Sequence, residues 1–447
     1  MTIARRLFNL SAPIIGVNVL SVLTLAVDTA MCGRLADADV ALKALGFAAQ
    51  IVFLLMVAVM GLTVGCVAVV ARAYGAGDRD RLNHVLAQST QLVVLVGLGV
   101  ALIGIPTAPH LLSALGASGD VVDAGMDYLR PMLGGSVFYY LVIMYGGVLR
   151  SVGNTRLPFF IALLSNAVNI VLNYGLILGN LGMPALGIEG AGIASVISFA
   201  VNVAVTIFVL RRGAVDNLHP TLAPRAVDRR LAFELYRIGA PAALDMLLLN
   251  VAFISIVGMI GRIDELAVAA HGIGLRIQAL AFVPGLGVSQ ATAAMVGQSL
   301  GAENPDEARA VARASVALCT GLMTTLGLAI IAAAYPIVGI FDVPPGSPLE
   351  SFSIEWMFLL GACMPIVGVH IAFVGVLQGA GATNTSLSIN FVGTVIVQVP
   401  LSILLGFTLD LGAFGVWLSF PLSFVVKAAL GWAAYKRGRW IKLGKRI

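Results

Sequence analysis

Twelve long apolar runs, separated by short polar connections, dominate this sequence. A transmembrane helix needs about 20 predominantly apolar residues, and every run reaches that length. Only 11% of the residues are charged, whereas soluble domains carry about 25%. The chain is therefore predicted to be an all-α polytopic membrane protein. The predicted spans are 10–33, 44–73, 85–111, 122–149, 157–180, 188–210, 238–262, 266–299, 310–333, 353–378, 386–409 and 412–435.

The basic residues of the connections predict the orientation of these spans. Most of them lie on the side that also holds both chain ends, and the opposite side carries only Arg34, Lys43 and Arg262. The excess of Lys and Arg marks the cytoplasmic side. We therefore expect both termini on the cytoplasmic side of the membrane.

Composition and motifs exclude several function classes. The net charge of +5 comes mostly from short loops, so no nucleic-acid partner is expected. The four cysteines lie far apart in apolar segments and are expected to be buried. No catalytic, phosphate-binding or metal-ligand motif occurs, so we expect no enzyme activity and no cofactor. The expected partners are membrane lipid and a small-molecule substrate, with the protein as a monomer.

The second half of the chain repeats the first. Four short motifs recur in the same order at offsets of about 225–228 residues, and a polar connection at 211–237 divides the copies. We predict a six-helix lobe at 1–210, a cytoplasmic linker at 211–237 and a second six-helix lobe, with a basic tail, at 238–447. Parallel repeats of this kind place a substrate site at their interface.

One carboxylate, Asp28, lies inside the first span. Its depth matches that of a helical row of amides in span five, Asn166, Asn169 and Asn173, and that of Ser195 in span six. Such oxygen-rich groups suit a proton or Na⁺, and an ionisable group inside a span is a functional-site hypothesis by default. The alternatives are that Asp28 is merely solvated and that the amides join neighbouring helices.

Other polar and aromatic residues of the spans are candidates for a substrate cavity. Asp245 lies near the inner end of span seven, where it either opens to the cytoplasm or pairs with an arginine. The alternatives are a structural ion pair for Arg276, a structural hydrogen bond for His271, and packing against lipid for the tyrosines, Met144 and Phe282. Lys427 is expected to extend to the membrane surface. The cavity candidates are Asp245, Arg276, His271, Tyr139, Tyr140, Met144 and Phe282.

Together these motifs resemble the multidrug and toxic compound extrusion (MATE) family over residues 5–435. The resemblance implies two six-helix lobes in a V shape and export of amphiphilic, often cationic compounds in exchange for H⁺ or Na⁺. The motifs that carry it are Ala12-Pro13, Val27-Asp28-Thr29-Ala30-Met31, Tyr74-Gly75-Ala76-Gly77-Asp78, Gly147-Val148-Leu149-Arg150-Ser151-Val152-Gly153-Asn154-Thr155, Asn169 with Asn173-Tyr174, Ala269-Ala270-His271 and Gly297-Gln298-Ser299-Leu300-Gly301-Ala302.

The resemblance is to the DinF-like branch rather than the NorM-like one. In the DinF-like branch, a carboxylate matching Asp28 binds the cation with residues matching Asn169, Asn173 and Ser195. The family has an acidic residue at the position of Asn173, and this departure makes protonation of Asp28 simpler than Na⁺ binding. NorM-like proteins carry acids in spans seven and ten, whereas span ten here has only Glu355 at its outer end.

The function hypothesis is therefore an antiporter for multidrug efflux in which Asp28 couples the ion, with Na⁺ at Asp28, Asn169 and Asn173 as the other option. Three alternatives stay open. One is a carrier of the major facilitator class. The second is a flippase or exporter of a lipid-linked or anionic precursor, for which Arg130 and Arg276 would supply positive charge. The third is a channel or receptor.

Overall fold

The computed structural model describes residues 2–215, 218–220 and 226–444. Parts of the predicted linker (216–217 and 221–225) and of the basic tail (445–447) lie outside this range. The described residues form helices and no strands. Eleven segments are long and apolar enough to cross a membrane, and a bent pair of helices supplies a twelfth span. The predicted fold class is confirmed.

The spans are helices of 21 to 38 residues apart from the bent pair and one composite span. The helices are α1 (Ile3–Cys32), α2 (Ala38–Gly75), α3 (Arg79–Ala114), α4 (Asp120–Gly134), α5 (Ser136–Ser151), α6 (Arg156–Leu176), α7 (Ile188–Arg211), α8 (Arg229–Gly261), α9 (Glu265–Gly301), α10 (Pro305–Ala332), α11 (Ala334–Gly339), α12 (Pro348–Gly379), α13 (Thr383–Phe391), α14 (Val399–Ile403), α15 (Gly412–Arg437) and α16 (Arg439–Gly444). Two π-helical segments, Val392–Gln398 and Leu404–Thr408, flank α14 and complete the composite span.

The prediction of one continuous span at 122–149 is wrong. Helices α4 and α5 meet at Gly135 with a bend of 56°. Pro131 removes one backbone donor from the last turn of α4, and two glycines follow it, a combination that kinks helices. A Cβ atom at Gly135 would collide with the side chain of Val196 on α7. The bend is therefore set by local backbone chemistry and by close packing.

The chain divides into two compact units. The first unit is Gly16–Gly239, and the second is Met1–Ile15 together with Ala240–Ile447. The start of α1 thus groups with the second unit, a division that differs from the predicted lobe boundaries. Leu7 and Ile14 are buried in a cluster with residues of α9 and α10, and Arg6 forms an ion pair of 3.4 Å with Glu307.

Helices α9 and α12 pack closely within the second unit. Gly375 and Gly379 are four residues apart on α12, and a Cβ atom at either would collide with backbone atoms of α9 at Ser289 and Ala293. Small residues at this spacing allow helix backbones in membranes to approach each other.

The end of the linker is attached to α3 within the first unit. Gln88 donates to the Ala226 carbonyl at 3.0 Å and accepts from the Asp228 amide at 3.1 Å. Asp228 accepts from the amides of Arg230 and Leu231 at the start of α8 and forms an ion pair of 3.0 Å with His84. Asp228 therefore caps α8 and ties it to α3.

We expect Asp228→Ala to lower the melting temperature near neutral pH, because α8 loses its cap. The His84 hydrogen bond and then the Leu231 amide hold the pKa of Asp228 below its ordinary value of 3.8. A lowered pKa stabilises the fold above the ordinary value, and the contribution is lost as the pH falls through the lowered one. The melting-temperature difference between wild type and Asp228→Ala should therefore vanish at low pH. A difference that persists unchanged in acid would contradict this account, and Asp228→Asn, which keeps a cap acceptor, is the control.

Candidate ion-coupling site

Asp28 of α1 is buried among side chains of the first unit, with only 7% of its surface exposed. The Asn173 amide group on α6 donates to Asp28 Oδ1 and also to Asn169 Oδ1, the latter at 3.0 Å. Asn169 and Asn173 are both buried, and their spacing of four residues places them on one face of α6. The structure therefore brings together three of the five residues that depth and periodicity selected.

The site is rich in acceptor oxygens and lacks a balancing positive charge. Asn173 Oδ1 has no hydrogen-bond partner among the described residues. In the same part of the chain, no basic side chain interacts with Asp28. The hydrogen bond from Asn173 replaces only part of the hydration that the buried carboxylate loses, so a proton or a metal cation bound there lowers the cost of burial. Asn173 donates its NH₂ group to the carboxylate, and the unpartnered oxygen of the same amide is a ligand that Na⁺ can use.

Ser195 and Asn166 take different positions from the carboxylate. Ser195 is buried on α7, but no hydrogen bond joins it to Asp28, Asn169 or Asn173 among the described residues. Asn166 accepts a hydrogen bond from Thr24, one turn before Asp28 on α1. The three amides of α6 therefore have two roles. Asn166 bonds to Thr24 of α1, and Asn169 and Asn173 form the hydrogen-bonded group at Asp28.

Sequence reasoning missed Tyr128 of α4, which interacts electrostatically with Asp28. Its side chain packs against a buried cluster of Cys32, Ile177 and Ala191. Cys32 lies one turn after Asp28 on α1. No periodic pattern marks this tyrosine in the sequence. The packing of α4 against this cluster places Tyr128, and the sequence does not reveal that packing.

A second carboxylate–amide pair lies in the second unit. Asn390 of α13 donates to Asp245 Oδ2 of α8 at 2.8 Å, and both residues are buried. This pair and the pair of Asp28 with Asn173 each span 145 residues of sequence. Asp245 therefore pairs with an amide rather than with an arginine.

Unlike Asp28, Asp245 has a cation nearby. Lys427 of α15 interacts with it electrostatically and is 2% exposed, so the prediction that Lys427 extends to the membrane surface is wrong. The ammonium group lies 4.4 Å from the centre of the Phe424 ring. The second pair thus has a compensating positive charge that the first pair lacks.

Comparison with known proteins decides the family. A family model described as MatE matches the chain twice, at residues 13–175 and 241–404. The chain belongs to the MatE family. The two matches begin 228 residues apart, which confirms the internal duplication. MatE proteins are membrane transporters, so this chain is an integral membrane transporter and not an enzyme, a carrier of the major facilitator class or a channel.

Two relatives illustrate the similarity. One is a probable multidrug resistance protein NorM of Thermotoga maritima, 25% identical over 441 residues, which are 98% of this chain and 94% of the relative. Another protein of that name, from Bradyrhizobium diazoefficiens, is 29% identical over 428 residues, with 94% and 91% covered. A solved structure titled "Crystal structure of MATE in the bent conformation" has a TM-score of 0.90 at 22% identity and covers 100% of this chain and 97% of that one, which supports the fold.

The remaining candidate residues of this MatE protein are scattered. His271 and Phe282 line a cavity of about 260 Å³ in the second unit. Tyr140 and Met144 are buried in the first unit, and the Tyr139 ring packs against Tyr140. The candidates thus belong to both units, and a substrate cavity shared by all of them stays a prediction.

The two membrane arginines have local partners. Arg276 is exposed and lies 5.8 Å from the centre of the Phe341 ring. Arg130 forms an ion pair of 3.7 Å with Asp127 on an exposed part of α4. Neither arginine lines the cavity of the second unit.

We expect Asn173→Leu to reduce gradient-driven efflux by this MatE transporter several-fold while leaving the protein folded. Leucine has similar volume but cannot donate to Asp28 and Asn169, so both acceptors lose a buried partner, at a cost of about 1–3 kcal/mol. Efflux from proteoliposomes measures the effect. Asn166→Leu is the matched control on the same helix, and equal losses in the two variants would show that Asn173 has no special role.

Proposed function

We propose that this chain is a secondary active antiporter that exports amphiphilic, cationic small molecules in exchange for H⁺, with Asp28 as the coupling carboxylate. The observation that carries the proposal is the burial of Asp28 against amide groups, with no basic partner among the described residues. Na⁺ held by Asp28, Asn169 and Asn173 is the alternative coupling ion. The amide at position 173, where the DinF-like branch has an acidic residue, removes one anionic ligand for Na⁺ and supports H⁺.

The coupling follows from the charge of one group. In its charged form Asp28 attracts a cationic compound, and in its protonated form it does not, so proton uptake favours release of the compound. A ligand shifts a conformational equilibrium only by its differential affinity for the two states. Protonation of a single buried carboxylate supplies such a difference. One elementary charge moved through 100 mV adds about 2.3 kcal/mol of driving force.

The names of the relatives support efflux of several compounds, since both are described as probable multidrug resistance proteins. Both also carry the name NorM, so the DinF-like assignment is a proposal that rests on residues. Asp28 gives α1 the acidic residue that the DinF-like branch has there. The acidic residues of α12, Glu350 and Glu355, lie only in the first turns of that helix, whereas NorM-like proteins carry an acid within the corresponding span. The distribution of basic residues supports the further proposal of an inner-membrane location with both termini in the cytoplasm.

Export of an anionic precursor is the second candidate function. It was expected to need the positive charges of Arg130 and Arg276. One of these pairs with Asp127 and the other lies over Phe341, so neither supports it. We therefore prefer cationic substrates at the Asp28 site.

The test is transport by the purified full-length protein in proteoliposomes, with ethidium as the cationic probe. An imposed pH gradient should drive ethidium movement, and a Na⁺ gradient of equal size should not. Movement driven only by Na⁺ would replace H⁺ with Na⁺ in the proposal. Movement that is indifferent to both gradients would reject antiport altogether.

A further inference from the structure

We infer that the second unit contains a binding site for aromatic acids, in which Lys427 binds the acidic group. The site is the cavity of about 260 Å³ formed by α8, α9, α12, α15 and the π-helical segment Val392–Gln398. This volume is slightly below the range of about 300–1,000 Å³ for pockets of drug-sized ligands, and it suits a compound of one or two rings.

Lys427 supplies the only formal charge among the described residues that line this cavity. Its ammonium group has no hydrogen-bond acceptor in the described part of the chain, although it can donate three bonds. The carboxylate of Asp245 interacts with it electrostatically, but no direct ion pair between the two is present in that part and Asp245 does not line the cavity. A ligand inside the cavity therefore faces an amine without a direct counter-ion.

The other polar groups of the cavity also favour an acceptor-rich ligand. The indole N–H of Trp417, the hydroxyl of Thr394 and the ring nitrogens of His271 have no hydrogen-bond partner among the described residues, whereas the Trp356 indole nitrogen packs against Gly274. Indole nitrogens only donate. Oxygen atoms of a bound acid would give these buried donors the partners that they lack.

Aromatic side chains provide the walls of the site. Phe253, Phe282, Trp356, Trp417, Phe420 and Phe424 line the cavity. Such rings stack on aromatic ligands. They also attract cations, but the fixed positive charge of Lys427 opposes a cationic ligand here. The combination of stacking walls, free donors and one buried amine favours an acid over an amine of the same shape.

The experiment compares three probes of one shape: 4-bromobenzoate, 4-bromobenzamide and 4-bromobenzylammonium. Bromine quenches tryptophan fluorescence on contact, and two of the four tryptophans of the chain line the cavity. With the full-length protein in detergent, we expect the benzoate to bind at least about tenfold more tightly than the amide, since bonds to charged groups are stronger than neutral ones. The benzylammonium ion should bind most weakly. Equal binding of all three probes would overturn the inference.

Two lysine variants test whether Lys427 supplies the positive charge that binds the acidic group. Lys427→Met should reduce benzoate binding to the level of the amide and leave amide binding unchanged, whereas Lys436→Met, on the same helix beyond the cavity, should change neither. A folded Lys427→Met protein that keeps its preference for benzoate would refute the site. If Lys427→Met does not fold, the Asp245→Asn variant is measured instead. Removal of the carboxylate that competes for Lys427 should tighten benzoate binding. An unchanged affinity for benzoate would count against the inference. These measurements need no transport, so their outcome is independent of the proposed antiport.

Discussion

Asp28→Asn should abolish ethidium efflux driven by a pH gradient while the protein remains folded. Asparagine keeps the shape of the side chain and can still bond with Asn173, but it neither carries a proton nor develops a negative charge. Coupling free energies between two ligands are typically about 1–3 kcal/mol, equivalent to about 5–150-fold in affinity. We therefore expect the gradient-driven rate to fall at least about tenfold, because the whole of this coupling depends on one group.

The controls for Asp28→Asn separate coupling from stability. Asp28→Glu restores a titratable carboxyl group and should recover part of the efflux. Asp127→Asn removes an exposed carboxylate of the same unit, which pairs with Arg130, and should leave efflux close to that of the wild type. Full gradient-driven efflux by Asp28→Asn would eliminate Asp28 as the coupling residue. Equal losses in Asp28→Asn and Asp127→Asn would point to general damage instead.

Gly379→Val should strongly destabilise the second unit. The Cβ atom would meet the backbone of Ala293 on α9, which cannot move without displacing the helix. Overpacking of a well-packed core costs about 1–3 kcal/mol even where side chains can adjust, so we expect at least this loss where the obstacle is backbone. The melting temperature of the purified protein in detergent measures it.

Gly258→Val is the matched control for this prediction. Gly258 lies on α8 of the same unit, is exposed and has no atom within 4 Å of the position that a Cβ would take. The same substitution there should change the melting temperature little. If Gly379→Val and Gly258→Val have the same melting temperature, Gly379 is not required for the close approach of α9 and α12.

The candidate site shows how far helical periodicity and depth reach as predictors. The spacing of Asn169 and Asn173 and their depth in span five correctly place them beside Asp28, because a regular helix repeats its faces every three to four residues. Ser195 has a similar depth but no hydrogen bond to this group among the described residues. Depth does not specify the rotation of a helix about its own axis, and that rotation decides which side chains meet.

Periodicity and depth did not predict the second pair, Asp245 with Asn390. Asn390 belongs to no periodic amide row, and for Asp245, near the inner end of its span, the sequence left open whether it opens to the cytoplasm or pairs with an arginine. The buried amine of Lys427 was equally unexpected, because the long side chain of a lysine in a membrane span can usually extend to water. Here its stem packs against Gly393, where a Cβ atom would collide with it.

The sequence by itself determined the all-helical class, the twelve spans and the duplication into two six-span repeats, because hydropathy and repeated motifs are properties of the chain read in order. The tertiary structure alone decided the partners of each buried polar group, the 56° bend at Gly135 and the cavity around Lys427. These depend on how helices rotate, bend and approach one another. Such choices are made by contacts between residues far apart in sequence, and no local pattern records them.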